Sequence, residues 1–474
     1  MKRFTCLLLT SSFLASSFLP GCTLAPSYHR PDLAVSDRWP VAPAAAAPAT
    51  TSADTLPWRQ VFVDERLQRV IARALDHNRD LRVAVLNIEK ARAQYRIQRA
   101  SLLPALDAGL SQTTVHTPQS TSTLPSGAAF TAQSDSATIG LSSYEIDLFG
   151  RVRSLNKAAL ETYLATAETR RATEISLIAQ TASAWLGMAA DQDLLELARQ
   201  TLKTRQDSYD LTQKMFKLGS SSEVTVRQAD ILVQQARGDA ANAEALVNQD
   251  RNALVLLTGS DVPDADLPAG LPDDGALLAD LPVGLPSDVL TRRPDVMAAE
   301  HSLIAQNANI GAARAAFFPR ISLTGSTGST STELDDLFKA HTGTWSFTPS
   351  ITLPIFDGGA NRANLKSSKV SRDIAVATYD KTVQTAFKEV ADALAVRATI
   401  AERLDAQTTA TQSATVAFTL AQARYKNGID SYINLLDAQR TLYGSQQGLI
   451  TIRLTRADNL VSLYKALGGG ASPS

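Results

Sequence analysis

Cysteine, histidine, aromatic residues and long apolar runs are all scarce in this chain of 474 residues, and each scarcity excludes something. The two cysteines, Cys6 and Cys22, both lie at the extreme N-terminus, so the remainder can form no internal disulfide. The five histidines, His29, His77, His116, His301 and His341, are scattered without metal-ligand spacing. Beyond the first segment no apolar run reaches the ~18 residues that a membrane-spanning helix needs. A formal net charge of −1 gives no basic surface for a nucleic acid. Gly325-Ser-Thr-Gly328, read as a strand-to-loop region, does not open a helix and so cannot cradle phosphate. The paired acids Asp335-Asp336 are expected in a water-facing loop. Nothing in the pattern points to an enzyme or to a cofactor.

What the chain does have is a duplication, which is the first thing to seek because missing it misreads the fold. Residues Phe418 to Gly468 align without a gap on Tyr209 to Gly259 at an offset of 209. Leu420 falls on Leu211, Gln422 on Gln213, Tyr425 on Phe216, Gly428 on Gly219, Ala438 on Ala229 and Gly468 on Gly259. Each copy reads as the end of one helix, a turn at glycine, and a long helix that stops at another glycine. Glycine fits both places because it adopts positive φ without steric cost.

The repeat extends upstream. Asn78 through Pro104 resembles Arg293 through Pro319 at a constant offset of 215, with Asp80 on Asp295, Ala93 on Ala308 and Arg99 on Arg314. After each proline the period changes to two, which means strand. Leu106, Ala108 and Leu110 alternate with polar or small residues, as do Ile321 and Leu323. A second strand follows in each half: Trp345, Phe347, Ile351, Leu353 and Ile355 in one, and Ile139, Leu141, Tyr144, Ile146 and Leu148 in the other. The second of these slips phase between Leu141 and Tyr144, which calls for a bulge. The predicted fold is mixed α and β, a duplicated helix-strand-strand-helix-helix repeat.

Lys2 and Arg3 precede an apolar run, Phe4 to Leu19, and then Leu19-Pro-Gly-Cys22. This reads as a secretory signal whose ending resembles a bacterial lipobox, with Cys22 as the acylated residue. Loss of the two cations takes the net charge from −1 to −3. The predicted organisation is a signal at 1–21, an extended lipidated leader at 22–57, a first repeat at 58–259, a linker at 260–286, a second repeat at 287–468 and a tail at 469–474.

Leu148 to Leu218 and Gly359 to Asn427 are both free of proline. Each would span roughly 100 Å as one helix, which implies coiled-coil packing. The four alternating segments match membrane-strand length, yet four strands cannot close a barrel, and lipid does not tolerate open edges. The chain must therefore oligomerise if these strands enter a membrane. Two copies would give eight strands and three would give twelve.

The stretch Leu285 to Glu300, Tyr144-Glu-Ile-Asp-Leu-Phe-Gly-Arg151, Ile355-Phe-Asp-Gly-Gly359 and Leu435-Leu-Asp-Ala-Gln-Arg440 resemble the outer-membrane factor family, the TolC-like channels of tripartite efflux pumps, and within it the OprM/NodT lipoprotein branch. The resemblance implies a homotrimer with a twelve-stranded outer-membrane β-barrel and a long periplasmic α-helical barrel. It also implies a periplasmic adaptor, an inner-membrane transporter of the resistance-nodulation-division type, and outer-membrane lipids as partners. The turns at Gly219 and Gly428 would be the tips where the adaptor docks. Tyr425, Asp430, Ile433, Asn434, Asp437 and Arg440 occupy positions that match the family's constriction. Threefold symmetry would turn Asp437 into a ring of carboxylates that favours cations, and Ile433 into an apolar collar. The alternative for Asp437 is a solvated helix residue in a modest surface pair with Arg440.

Two other functions compete with efflux. One is the outer-membrane duct of a type I protein secretion system; the other is a periplasmic coiled-coil protein that forms no channel. Two equivalent hairpins, each with its own strand pair, favour a duct over an adaptor, which normally carries one hairpin.

Overall fold

Two pairs of helices dominate the chain, and the computed structural model describes them within residues 23–41, 57–272, 281 and 290–469. Cys22, the signal and residues 42–56 of the leader lie outside the described residues, as do much of the linker and the tail after residue 469. In chain order the elements are α1 (Trp58–Val61), α2 (Glu65–His77), α3 (Arg79–Ala100), β1 (Leu106–Thr117), β2 (Phe130–Glu145), α4 (Arg151–Lys217) and α5 (Glu223–Thr258). The second half supplies α6 (Pro294–Ala315), β3 (Arg320–Ser331), β4 (Gly343–Thr352), α7 (Ala360–Lys426) and α8 (Tyr432–Ala466). Both α4 and α7 are 67 residues long and start and stop 209 residues apart. Likewise α3 and α6 are both 22 residues long, 215 apart. The sequence offsets are structural offsets.

The chain divides into two compact units. The first draws on residues up to 31, 89–165 and 300–378, and holds the sheet. Its strands form an antiparallel meander in the order β1-β2-β3-β4. The register sets Leu106 against Leu141, Ile139 against Thr327, Thr327 against Trp345, and Ile321 against Ile351. Directly opposed residues share a face, so Leu106, Leu110, Ile139, Trp345, Phe347 and Ile351 occupy one side, and all six are exposed. The other side is polar: Ser326 and Ser346 share a hydrogen bond of 2.8 Å, and Ser322 and Ser350 one of 2.7 Å.

The expected bulge is present, since the β2–β3 register shifts between Leu141 and Tyr144 and Ser143 takes a φ of 47°. It returns Tyr144 to the apolar side, opposite Leu323. The strands end earlier than the alternation suggests. Ile146 and Leu148 lie past β2, and Leu353 and Ile355 past β4, whose ladder stops at Thr352 ahead of Pro354. Gly325-Ser-Thr-Gly328 sits inside β3 and not at a strand end. Asp335 and Asp336 form a short 3₁₀ turn between β3 and β4, where Asp336 pairs with Lys339.

In the same unit the N-terminal segment runs along α6 in an extended path. Leu24 O accepts from Arg314 at 3.0 Å and Pro26 O from Asn307 at 2.8 Å, while Tyr28 and Arg30 both bond Glu300. Gly311 permits this approach, because a Cβ there would sit 2.7 Å from the Ala25 methyl.

The second unit, within residues 32–88, 166–299 and 379–474, holds the main core. Leu67, Val70 and Ile71 of α2 pack with Trp185, Leu186 and Met188 of α4, Leu254 of α5, Val390 and Leu394 of α7, and Leu463 and Tyr464 of α8. Burial of each such side chain stabilises by about 1.5–3 kcal/mol. Helix α2 starts at Asp64, whose carboxylate accepts from the backbone of Arg66 and Leu67 and so caps two free N–H groups. One helix was expected ahead of the first strand pair; the structure has three. The start of the linker is pinned here too: Arg69 binds Asp266 at 2.6 Å, Trp185 donates to Asp266 O, and Asp193 accepts from Leu271 N. Arg293 in the Arg-Pro-Asp motif is buried, binding Asp295, Glu389 and the carbonyl of Ala466 near the end of α8.

Candidate functional site

Both hairpin tips belong to the second unit and close with the same backbone device. At the first, Ser220 N–H donates to Met215 O and Gly219 N–H to Phe216 O, each at 2.9 Å, with Gly219 at φ 75°. At the second, Ile429 N–H donates to Arg424 O and Gly428 N–H to Tyr425 O, at 2.9 and 3.0 Å, with Gly428 at φ 71°. These paired bonds are Schellman turns, which satisfy carbonyls that a helix end leaves free. The positive φ explains the glycine in each copy.

The side chains around the two turns differ. Ser222 Oγ accepts from Thr225 N–H and caps α5, and Glu223 follows in the first turn of that helix. Ser431 makes no such bond, and the first turn of α8 carries no acid. Instead Arg424 grips Asp430 across the turn, Nε to Oδ2 at 2.6 Å and Nη2 to Oδ1 at 3.2 Å. That guanidinium holds the Asp430 carboxyl below its ordinary value of 3.8.

Behind the turns the two hairpins meet in a small core. Ala229 and Leu232 of α5 pack with Tyr425, Tyr432, Leu435 and Leu436. The rings of Tyr425 and Tyr432 lie 5.5 Å apart, tilted by 60°. Thr212 donates to Ser208 O, so its oxygen accepts from the Tyr425 hydroxyl at 3.2 Å. Burial pushes the Tyr432 phenol up to about 12. One step further from the turns, Gln439 Nε2 donates to Ser208 Oγ at 3.1 Å and Tyr443 donates to Asp239 at 3.3 Å.

The six residues singled out in the sequence therefore separate into two groups. Ile433, Asn434, Asp437 and Arg440 are exposed on α8. Ile433, Asp437 and Arg440 follow one another at spacings of four and three, so they share one helix face. Tyr425 is 5% exposed and belongs to the core between the hairpins, and Asp430 is committed to Arg424. The surface pair between Asp437 and Arg440 is not made: among the described residues Asp437 has no ion pair. Three features escaped the sequence reading: the Arg424 clamp, the cap at Ser222 and the buried Arg205. The clamp joins residues six apart across a turn, a spacing that no helical periodicity reveals. No group of three or more potential metal ligands occurs among the described residues.

The chain is similar to known proteins over most of its length. The family model described as "Outer membrane efflux protein" matches residues 70–260 and again 285–469, one span for each repeat. The antibiotic efflux pump outer membrane protein ArpC of Pseudomonas putida is 48% identical over 466 residues, covering 98% of this chain and 95% of that protein. A membrane protein of Pseudomonas aeruginosa superposes with a TM-score of 0.88 at 43% identity, over 94% of this chain and 98% of that one. The open state of the Neisseria gonorrhoeae MtrE outer membrane channel superposes with a TM-score of 0.85 at 42% identity, over 95% and 98% of the respective chains.

Proposed function

The chain belongs to the outer membrane efflux protein family, and from that membership we propose that its paired hairpin tips are the gate of the duct. The protein is the outer-membrane exit duct of a tripartite efflux system. Three copies close the four-stranded sheets into one twelve-stranded barrel, whose apolar side faces lipid. A periplasmic adaptor and an inner-membrane transporter of the resistance-nodulation-division type complete the assembly, and acylated Cys22 adds a lipid anchor. The closed barrel, which crosses the membrane, is the principal anchor. Drugs or other small molecules pass through the duct passively; the ArpC relative is named for antibiotic efflux.

At the gate, exposed Ile433, Asn434, Asp437 and Arg440 line the constriction. Three Asp437 carboxylates around the axis attract cations and repel one another, and three Ile433 side chains form a collar that sheds water when narrow. Tyr425 and Asp430 do not line the pore. They hold α7 and α8 in place behind it. The turns at Gly219 and Gly428, flanked by the exposed apolar residues Leu218, Val224 and Ile429, present the docking surface for the adaptor.

The observation that carries this reading is the sheet with one exposed apolar side, in a chain whose described residues include no helix apolar enough to cross a membrane. The test is expression in cells that lack their own outer-membrane duct but retain adaptor and pump. A heat-resistant trimer that needs detergent for extraction, together with restored antibiotic export, is the expected result. A protein released without detergent would be a periplasmic coiled coil and not a duct.

A further inference from the structure

A small cavity of about 120 Å³ lies between the hairpins, among Thr201, Arg205, Phe418, Gln439, Leu442 and Tyr443. Water takes roughly 30 Å³ per molecule in the liquid, so the space admits a few small species. Two polar side chains in its lining are more than nine-tenths buried: Arg205 is 6% exposed and Gln439 7%. Arg205 Nη1 donates to Leu232 O at 3.2 Å, but Arg205 Nε is buried with no hydrogen-bond partner, as is Gln439 Oε1. Among the described residues Arg205 forms no ion pair. Arginine stays charged in proteins, so this is a buried cation without a bonded counter-charge.

The charged and titratable groups around it do not supply one. Burial pulls the guanidinium below its ordinary value, Asp239, Tyr443 and Tyr432 oppose that, and Arg440 adds to it. Asp239 accepts from the Tyr443 hydroxyl, and the ring of Tyr443 lies 5.3 Å from the guanidinium carbon. The amide orientation of Gln439 is fixed by its neighbour: Ser208 Oγ donates to Thr204 O at 3.0 Å, so it accepts from Gln439 Nε2 and leaves Oε1 as a free acceptor.

We propose that this cavity binds one small monovalent inorganic anion of the halide class, held by Arg205 Nε, with one water molecule beside it. The water donates one hydrogen to the anion and the other to Gln439 Oε1, so every buried polar atom gains a partner. The anion neutralises Arg205 of α4 next to Gln439 and Tyr443 of α8, and so braces the first hairpin against the second. Water alone would solvate the arginine but leave it only Asp239, with which it forms no ion pair, as a counter-charge.

Bromide is the probe. Crystals of the full-length protein grown in sodium bromide should show an anomalous peak in the cavity, in contact with Arg205 Nε. Purified protein should melt at a higher temperature in sodium chloride than in sodium gluconate at equal ionic strength. Arg205→Met should abolish both the peak and that difference. Ordered water in the cavity with no anomalous signal would overturn the proposal, as would a halide dependence that survives in Arg205→Met. If the variant fails to fold, the bromide map of the unsubstituted protein decides alone.

Discussion

At the first tip the chain passes from α4 to α5 through Gly219, and Ser222 caps the new helix; at the second it passes from α7 to α8 through Gly428, with no side-chain cap from Ser431 and with Arg424 clamped to Asp430. The backbone is the same and the bracing is not. A cap and a first-turn acid such as Glu223 stabilise the helix that carries them, because they satisfy its free N–H groups and complement its dipole. A clamp across the turn joins two helices and leaves the first turn of α8 without either aid. At the positions of Arg424 and Asp430 the first copy has Met215 and Ser221, and at the position of Asp437 it has Gln228. Duplication thus produced one tip whose second helix is secured locally and another held by its connections. In the gate proposed above, α7 and α8 would move together at the second tip, joined by the Arg424–Asp430 pair.

The comparison is broken most severely at the tyrosine. Tyr425→Ala empties a buried site and should cost about 3 kcal/mol, whereas Phe216→Ala at the matching, 42% exposed position should cost well under half of that. Thermal unfolding of both variants checks the pair, and equal losses would contradict the asymmetry. A smaller effect belongs to the caps. Ser222→Ala should cost about 1 kcal/mol and speed hydrogen exchange in the first turn of α5, while Ser431→Ala should leave α8 unchanged. Faster exchange in α8 alone would reverse the assignment.

The smallest effect concerns pH. The Asp430 carboxyl titrates below 3.8 in the folded protein, so its contribution is fully present above that value and is lost as pH falls through the depressed one. The clamp should therefore persist through pH 5–8. Asp430 chemical shifts followed by NMR should show no titration in that range, and a midpoint near or above the ordinary value would mean that the clamp is absent in solution. Arg424→Met should return the midpoint toward 3.8.

Much of this architecture was legible because backbone geometry leaves marks in sequence. The offset of 209 located both long helices, since their ends are set by glycines that must adopt positive φ. The bulge was visible as a phase slip between Leu141 and Tyr144, for a strand has only two faces to choose from. The strand ends were less legible, because Leu148, Leu353 and Ile355 continue the alternation after the ladder has stopped. Within the candidate site, Ile433, Asp437 and Arg440 were singled out by the family resemblance of the stretch around them, and all three are exposed on α8. Tyr425 was grouped with them although it turns into the core between hairpins, a fact that depends on Thr212 and Tyr432 and not on its own neighbours in sequence. Arg205 could not be foreseen at all. Its burial comes from α5 and α8, whose approach to α4 is a tertiary event.

In the gate proposed above, Asp437 on the second tip restricts the duct and its counterpart Gln228 on the first does not. Single-channel recording of the purified trimer in a planar bilayer tests this directly. The conductance should be small and cation-favouring, rise several-fold in Asp437→Ala and stay unchanged in Gln228→Ala. Equal conductance in both variants and the unsubstituted protein would contradict it.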